Sequence, residues 1–312
     1  MRRAIAAFGR VLVTLGLLIL LFVAYQLWGT GILTARAQHG LKKDFAKAQQ
    51  AYAAGQTTST TLKRPATTGN RTTTAVQPVR PAPPVPAEGQ AEGIIKIPRI
   101  GINMAFVEGV SRDDLQKGPG HYPDTPLPGT LGNAAIAGHR TTYLHPFYDV
   151  DKLQRGDDII IETVAGTFTY KMTAQLVVDP TDVQVVANTP DAELTLTSCN
   201  PKFSAEQRIV IKARLAPDQS AKPAKPQPPA GSTSGGKARP HQALLEEGLS
   251  GQQRSLTPAV RWGLAVLLIG LAWWWAFRRW RHPITWVAGV IPFLAVLFAF
   301  YVYFEKALPN GY

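Results

Sequence analysis

Three long apolar runs stand apart from a chain that otherwise alternates or is polar. No charged side chain lies between Arg10 and Arg36, and Val11 to Trp28 reads VLVTLGLLILLFVAYQLW. Trp262 to Phe277 and Pro283 to Phe304 are the other two, joined by Arg278-Arg279-Trp280-Arg281-His282. About 20 apolar residues, rising roughly 1.5 Å each, cross a hydrocarbon core of about 30 Å. The pattern therefore predicts one N-terminal and two C-terminal transmembrane helices, over 11–30, 257–277 and 283–304. Arg2, Arg3 and Arg10 place a 1–10 tail in the cytoplasm, and the arginines of 278–282 mark a cytoplasmic turn. Arg261 then snorkels outward, and the tryptophans at 273–275 and 280 suit the membrane interface. Two readings compete: a cleaved signal peptide, with Ala35-Arg36-Ala37 as its nearest cleavage site, and buried helices of a soluble protein.

The remainder, predicted to lie outside the membrane, divides by composition. Residues 31–91 form a Pro/Thr/Ala-rich linker, and 218–256 a Pro/Gly/Lys-rich one. Both are too polar to fold alone and semi-extended where proline clusters. Between them, 92–217 reads as β. Ile94 to Ile97 and Gly101 to Val107 are short strands interrupted by Pro98. Asp158 to Thr163 and Thr167 to Val178 make a hairpin about Ala165-Gly166, and Leu194 to Ser198 and Ile209 to Leu215 follow. Helical patterning is confined to Ser111 to Leu115, a capped single turn. The expectation is mainly β, a closed barrel or sandwich with short helical insertions.

Composition and charge then exclude several classes. A single cysteine in 312 residues rules out an internal disulfide framework and cysteine zinc clusters. The formal charge of +12 calls for an anionic partner. With the domain outside the membrane, that partner is an envelope or lipid surface and not nucleic acid; plain solvated linkers are the simpler account. Asp113-Asp114 and Asp157-Asp158 read as ordinary surface pairs, so neither a metal nor a cofactor is expected.

The lone thiol carries the chemistry. Cys199 ends a strand, Leu194 to Ser198, and precedes the turn Asn200-Pro201. If the next strand pairs antiparallel with it, Arg208 lies alongside, where a guanidinium favours a thiolate and binds a developing oxyanion. A buried inert cysteine and a surface arginine are the alternatives. A thiol needs an acid–base partner. His39 and His241 lie in linkers and His282 in the cytoplasmic turn. His139, at the end of Ala134 to Gly138, is favoured over His121, with His145 behind.

At these residues the chain resembles a known family. Thr195-Leu196-Thr197-Ser198-Cys199 is similar to the TLxTC signature of sortases, with Arg208 in the place of their arginine and Gly138-His139-Arg140 matching the histidine segment. Gly118 to Pro123, Gly132 to Tyr143, Pro146-Phe147-Tyr148 and Asn200 to Ala205 extend the likeness over about 92–216, to class E sortases of high-GC Gram-positive bacteria. It departs at Ser198, where threonine is usual. The resemblance implies a sortase-like closed β-barrel; the apolar runs, whose C-terminal pair lies outside the family pattern, predict a multi-pass, cell-membrane protein with its catalytic domain extracytoplasmic. It implies a cysteine transpeptidase whose Cys199 attacks the Thr–Gly bond of an LAxTG or LPxTG sorting signal on secreted proteins. His139 then serves as acid and base, and Arg208 steadies the oxyanion or substrate backbone. The acyl group passes to an amine of a lipid-linked peptidoglycan precursor. Tyr143, Thr197, Ser198 and His121 are the substrate-binding candidates. The alternatives are a class C pilus-polymerising sortase, which would carry an Asp-Pro-aromatic lid ahead of residue 92, and an inactive envelope-binding module. A papain-like protease would need cysteine before histidine.

Overall fold

A computed structural model describes residues 2–59, 85–123, 125–216, 257–277 and 283–307, forming two compact units. The 278–282 turn, most of the two linkers and Asp124 lie outside the described residues, as do the side chains of 1–8, 10, 11, 27, 55–59, 274, 276–289 and 305–307.

The first unit comprises Met1–Ile32 and Gly251–Gly311. Helix α1 (Arg2–Ala24) runs through a π-turn, Tyr25–Gly29, into helix α2 (Thr30–Ser59). The two C-terminal runs are also helical, over Thr257–Phe277 and Pro283–Ala307. Tyr25, Leu297 and Tyr301 are buried together, and the Tyr301 hydroxyl donates to the Leu18 carbonyl at 2.7 Å. Outward-facing apolar side chains are numerous, among them Val13, Leu268 and Ile291 at 72%, 62% and 75% exposure. Among the described residues no helix is long and apolar enough to cross a membrane.

The second unit, from Leu33, holds the barrel. Its strands are β1 (Ala91–Ile97), β2 (Ile102–Glu108), β3 (Gly120–His121), β4 (Gly132–Ala137), β5 (Asp158–Thr163), β6 (Gly166–Val178), β7 (Ala192–Asn200) and β8 (Gln207–Leu215). They close in the order β1-β2-β3-β4-β7-β8-β6-β5, with β5 returning to β1. Alternate side chains point inward. Ile95 and Ile97, Ile159 and Ile161, Leu194 and Leu196, and Ile209 and Ile211 fill the interior with Phe106, Phe168 and Tyr170.

The opposite faces of β4, β7 and β8 are covered too, which is why those strands read as unbroken buried runs. Tyr122, Ala135, Ala137, Val185, Val186 and Val210 form that second layer with Leu115 of α3 (Arg112–Leu115), a single helical turn capped by Ser111.

One expectation needs correcting. The 31–91 stretch is not linker from its start: it is helical through Ser59. Thr34, Gln38, Leu41 and Phe45 are buried, at the i, i+4, i+7, i+11 spacing of one helix face. Two of the four are polar, so the stripe carries little hydrophobic signal. Each polar member is instead satisfied by a specific backbone group of the barrel unit.

Candidate active site

Strand register assembles the site. Cys199 is the direct antiparallel partner of Arg208 across β7 and β8. On its other side β4 runs parallel to β7, with Ala137 opposite Thr197. The Gly138 amide extends that ladder by donating to the Thr197 carbonyl at 3.0 Å. Two residues on from Ala137, His139 comes level with Cys199 on the same face. Cys199 therefore shares its cleft with Arg208 of the neighbouring strand β8 and with His139, two residues past the end of β4. All three are buried, at 2%, 3% and 4% exposure. They line one cleft with Leu115, Ala137, Gly138, Thr197 and Ser198, whose accessible room is about 10 Å³. That is the space of one water-sized sphere.

Hydrogen bonds fix the surroundings. Ser198 Oγ donates to the Gly138 carbonyl at 2.7 Å, so the serine hydroxyl ties the cysteine strand to the histidine strand without the missing methyl. Thr197 Oγ1 meets the Tyr122 hydroxyl at 2.9 Å. Arg208 Nη1 donates to the Ala205 and Gln207 carbonyls, both at 2.9 Å, which anchors the loop after Cys199. His139 Nδ1 lies 3.3 Å from Thr142 Oγ1, and its ring rests 4.8 Å from that of Tyr143.

Burial pushes the Cys199 thiol up to about 11, against the pull of Arg208 and Arg140. Burial, with the charge of Arg112 added, draws His139 down to about 3. At neutral pH the pair is thus an uncharged thiol beside an uncharged imidazole, and thiolate forms only as a proton is transferred. Because the folded-state value is raised, the reactive anion accumulates as pH climbs. Alkylation of Cys199 at pH 7 should be on the order of a hundredfold slower than that of free cysteine and still rising at pH 9.5. A rate plateau below pH 8.5 in a stopped-flow or mass-spectrometric titration would contradict this arrangement.

The other sequence-predicted residues divide. Thr197 and Ser198 border the cleft. Tyr143 is buried against the His139 ring with a left-handed backbone (φ 53) and does not line the cleft. His121, expected in the substrate pocket, lies elsewhere: it is 1% exposed, with Nδ1 2.9 Å from Glu108 and 3.2 Å from Glu92. Its Nε2 lies 2.9 Å from Thr125 Oγ1. Burial pushes the Glu92 carboxyl up to about 8. Burial opposes charge on Glu108 and His121 as well, but their mutual attraction wins: Glu108 sits below the usual carboxylate range and His121 well above its usual value. Among the described residues these three form the one grouping of metal-ligand type. Their ligand atoms lie within 4.8 Å of one another, and His121 Nδ1 makes its hydrogen bond to Glu108.

Two buried residues escaped the sequence reading. Tyr122 is fully buried, with its hydroxyl against Thr197. Arg140, 2% exposed, donates through Nε to the Tyr148 carbonyl at 2.8 Å and through Nη1 to the Cys199 carbonyl at 3.1 Å, and its Nη2 pairs with Asp151 at 2.8 Å. A guanidinium at the end of the small-residue strand β4 was the available signal.

The family model described as Sortase domain matches residues 95–216. This segment, 95–216, is a sortase domain. Over 236 residues it is 29% identical to sortase SrtE1 of Streptomyces coelicolor, spanning 70% of this chain and 59% of that one. Over 131 residues it is 37% identical to sortase D of Bacillus subtilis, spanning 40% of this chain and 64% of that one. The alignments thus cover less than two thirds of either relative. A crystal structure of sortase E1 from Streptomyces coelicolor with a tripeptide in its active site is 31% identical, with a TM-score of 0.39, covering 41% of this chain and 89% of that one. Cys199, His139 and Arg208 all fall within the matched segment.

Proposed function

We propose that this sortase is a membrane-anchored cysteine transpeptidase of class E that acts on C-terminal sorting signals. The observation carrying this reading is the placement of Cys199 on one barrel face between His139 and Arg208. Cys199 Sγ attacks the carbonyl carbon of the Thr–Gly amide while its proton passes to His139. The oxyanion that forms is stabilised by the Arg208 guanidinium. His139 then returns the proton to the departing glycine amine, leaving a thioester on Cys199. An incoming amine loses a proton to His139, attacks the thioester, and releases the thiol with a new amide bond. A site that starts uncharged suits this sequence, because each charge arises beside a partner already in position.

An envelope location follows from the same reading. The apolar side chains that face outward on the three helices have the character of a lipid-contacting surface. The arginines at both cytoplasmic ends give the orientation. The acceptor is then the amine of a lipid-linked peptidoglycan precursor and the donors are secreted proteins.

The test uses the full chain in detergent with matched LAETG and LPETG peptides and an amine acceptor, followed by mass spectrometry. The expected product is the amide formed at threonine, made faster from the alanine peptide and absent with Cys199→Ala. A preference for the proline peptide would remove the class assignment and keep the transpeptidase. Failure to cleave either one, from folded protein, would favour an inactive envelope-binding module.

A further inference from the structure

We propose that Gln38 and Thr34, on helix α2 ahead of the barrel, are positioning residues for the catalytic cleft: they hold the 115–118 segment that carries Leu115 onto its wall. The proposal rests on reading that cleft as the sortase active site.

The edge of β2 that faces β3 is only partly paired. Strand β3 is two residues long and meets β2 only at Val107 and Glu108, so among the described residues that edge of β2 has no strand beside it at Ala105. The Gln38 side chain takes the vacant place. Its Oε1 accepts from the Ala105 amide at 2.8 Å and its Nε2 donates to the Ala105 carbonyl at 2.8 Å. A carboxamide offers the same donor and acceptor as a peptide group, so it continues the ladder for one step.

The second Nε2 proton goes to the Lys117 carbonyl at 2.8 Å, and Thr34 Oγ1 donates to the Gln116 carbonyl at 2.9 Å. These two carbonyls directly follow the single turn of α3, whose Arg112 and Asp114 carbonyls accept from the Gln116 amide. Four residues do not hold a helical turn by themselves. The Gln38 amide reaches this point because residue 118 is glycine: a Cβ there would lie 2.3 Å from Nε2.

What the turn presents makes this matter. Leu115 is 5% exposed and lines the cleft with Cys199 and His139, and Arg112, at the turn's start, is the charge that acts on His139. Gln38 and Thr34 are therefore joined through one short segment to the wall of the active site. Since the cleft admits about one water-sized sphere, loosening of the wall that Leu115 forms eases the approach of a larger reagent to Sγ.

The chain's single cysteine makes opening measurable. In the full chain in detergent, the rate of Cys199 alkylation by iodoacetamide at pH 8 should rise at least about fivefold in Gln38→Ala and about threefold in Thr34→Val. Thr34→Ser, which keeps the hydroxyl, should stay at the wild-type rate. So should Lys42→Ala, which removes a bond from the same helix to the Asn103 carbonyl, away from the 115–118 segment. Wild-type rates in Gln38→Ala and Thr34→Val would overturn the proposal. So would an equal rise in Lys42→Ala, which would report helix release alone. Should Gln38→Ala not fold, the Thr34→Val and Thr34→Ser pair decides. The readout needs no peptide, so failure of the wild-type chain to cleave a sorting signal would strike the assigned function and leave this result to be judged by itself.

Discussion

Replacing Arg208 by methionine should lower kcat for sorting-peptide cleavage by about 10²- to 10³-fold, the range lost when one preorganised oxyanion donor is removed. KM should change by less than about threefold, because the interaction exists in full only once charge develops on the carbonyl oxygen. Arg208→Lys should recover little of the loss. It keeps the charge but lacks the planar fork whose Nη1 holds the Ala205 and Gln207 carbonyls at the side of the cleft. Arg208 is also the first charge pulling down the Cys199 thiol, so the methionine variant should be alkylated more slowly at neutral pH. Steady-state kinetics with a fluorogenic peptide separate the two effects. A variant that loses KM alone would recast Arg208 as a substrate-binding group.

The second large effect is expected at Arg140, and chiefly on stability. Its guanidinium is buried and spans three groups: the Tyr148 carbonyl, the Cys199 carbonyl and Asp151. Arg140→Met keeps the apolar stem and strands all three partners. Removing one partner of a buried charged network costs about 3–5 kcal/mol, and here Asp151 is partly exposed, which puts the expectation near the lower end, about 3 kcal/mol. For a domain of this size that is a fall in Tm of roughly 10 °C. Activity should fall as well, since the Cys199 carbonyl loses its anchor. A loss under about 1 kcal/mol by thermal or urea denaturation would mean that solvent or Lys202, 3.7 Å from Asp151, takes over the pairing.

How much of this was legible in the sequence follows from which forces act locally. The short apolar runs at Asp158 to Thr163 and Ile209 to Leu215 mark β5 and β8 because inward positions of a barrel must be apolar and β8 is covered on its other face as well. Cys199 and Arg208 stood at a strand end and a strand start, so one antiparallel pairing joined them. His139 needed a parallel pairing between strands some 60 residues apart, which the residues favoured without requiring. Strand β3 left no pattern, being two residues long. His121 was read as part of the pocket, but the two glutamates that hold it belong to β1 and β2, and their convergence is a property of the closed barrel. The docked part of α2 escaped for a related reason. Gln38 and Thr34 are buried by hydrogen bonds to backbone groups more than 60 residues away, and hydropathy does not register such contacts.

The measurement that reaches the central claim most directly is the intact mass of the full chain mixed with an LAETG peptide in amine-free buffer. The account predicts an increase equal to the acyl half of the peptide, located on Cys199. Hydroxylamine or an added amine should discharge it, and Cys199→Ala should never acquire it. A folded wild-type chain whose Cys199 can be alkylated, yet which takes up no acyl group while the peptide is cleaved or left whole, would contradict a thioester intermediate at this site.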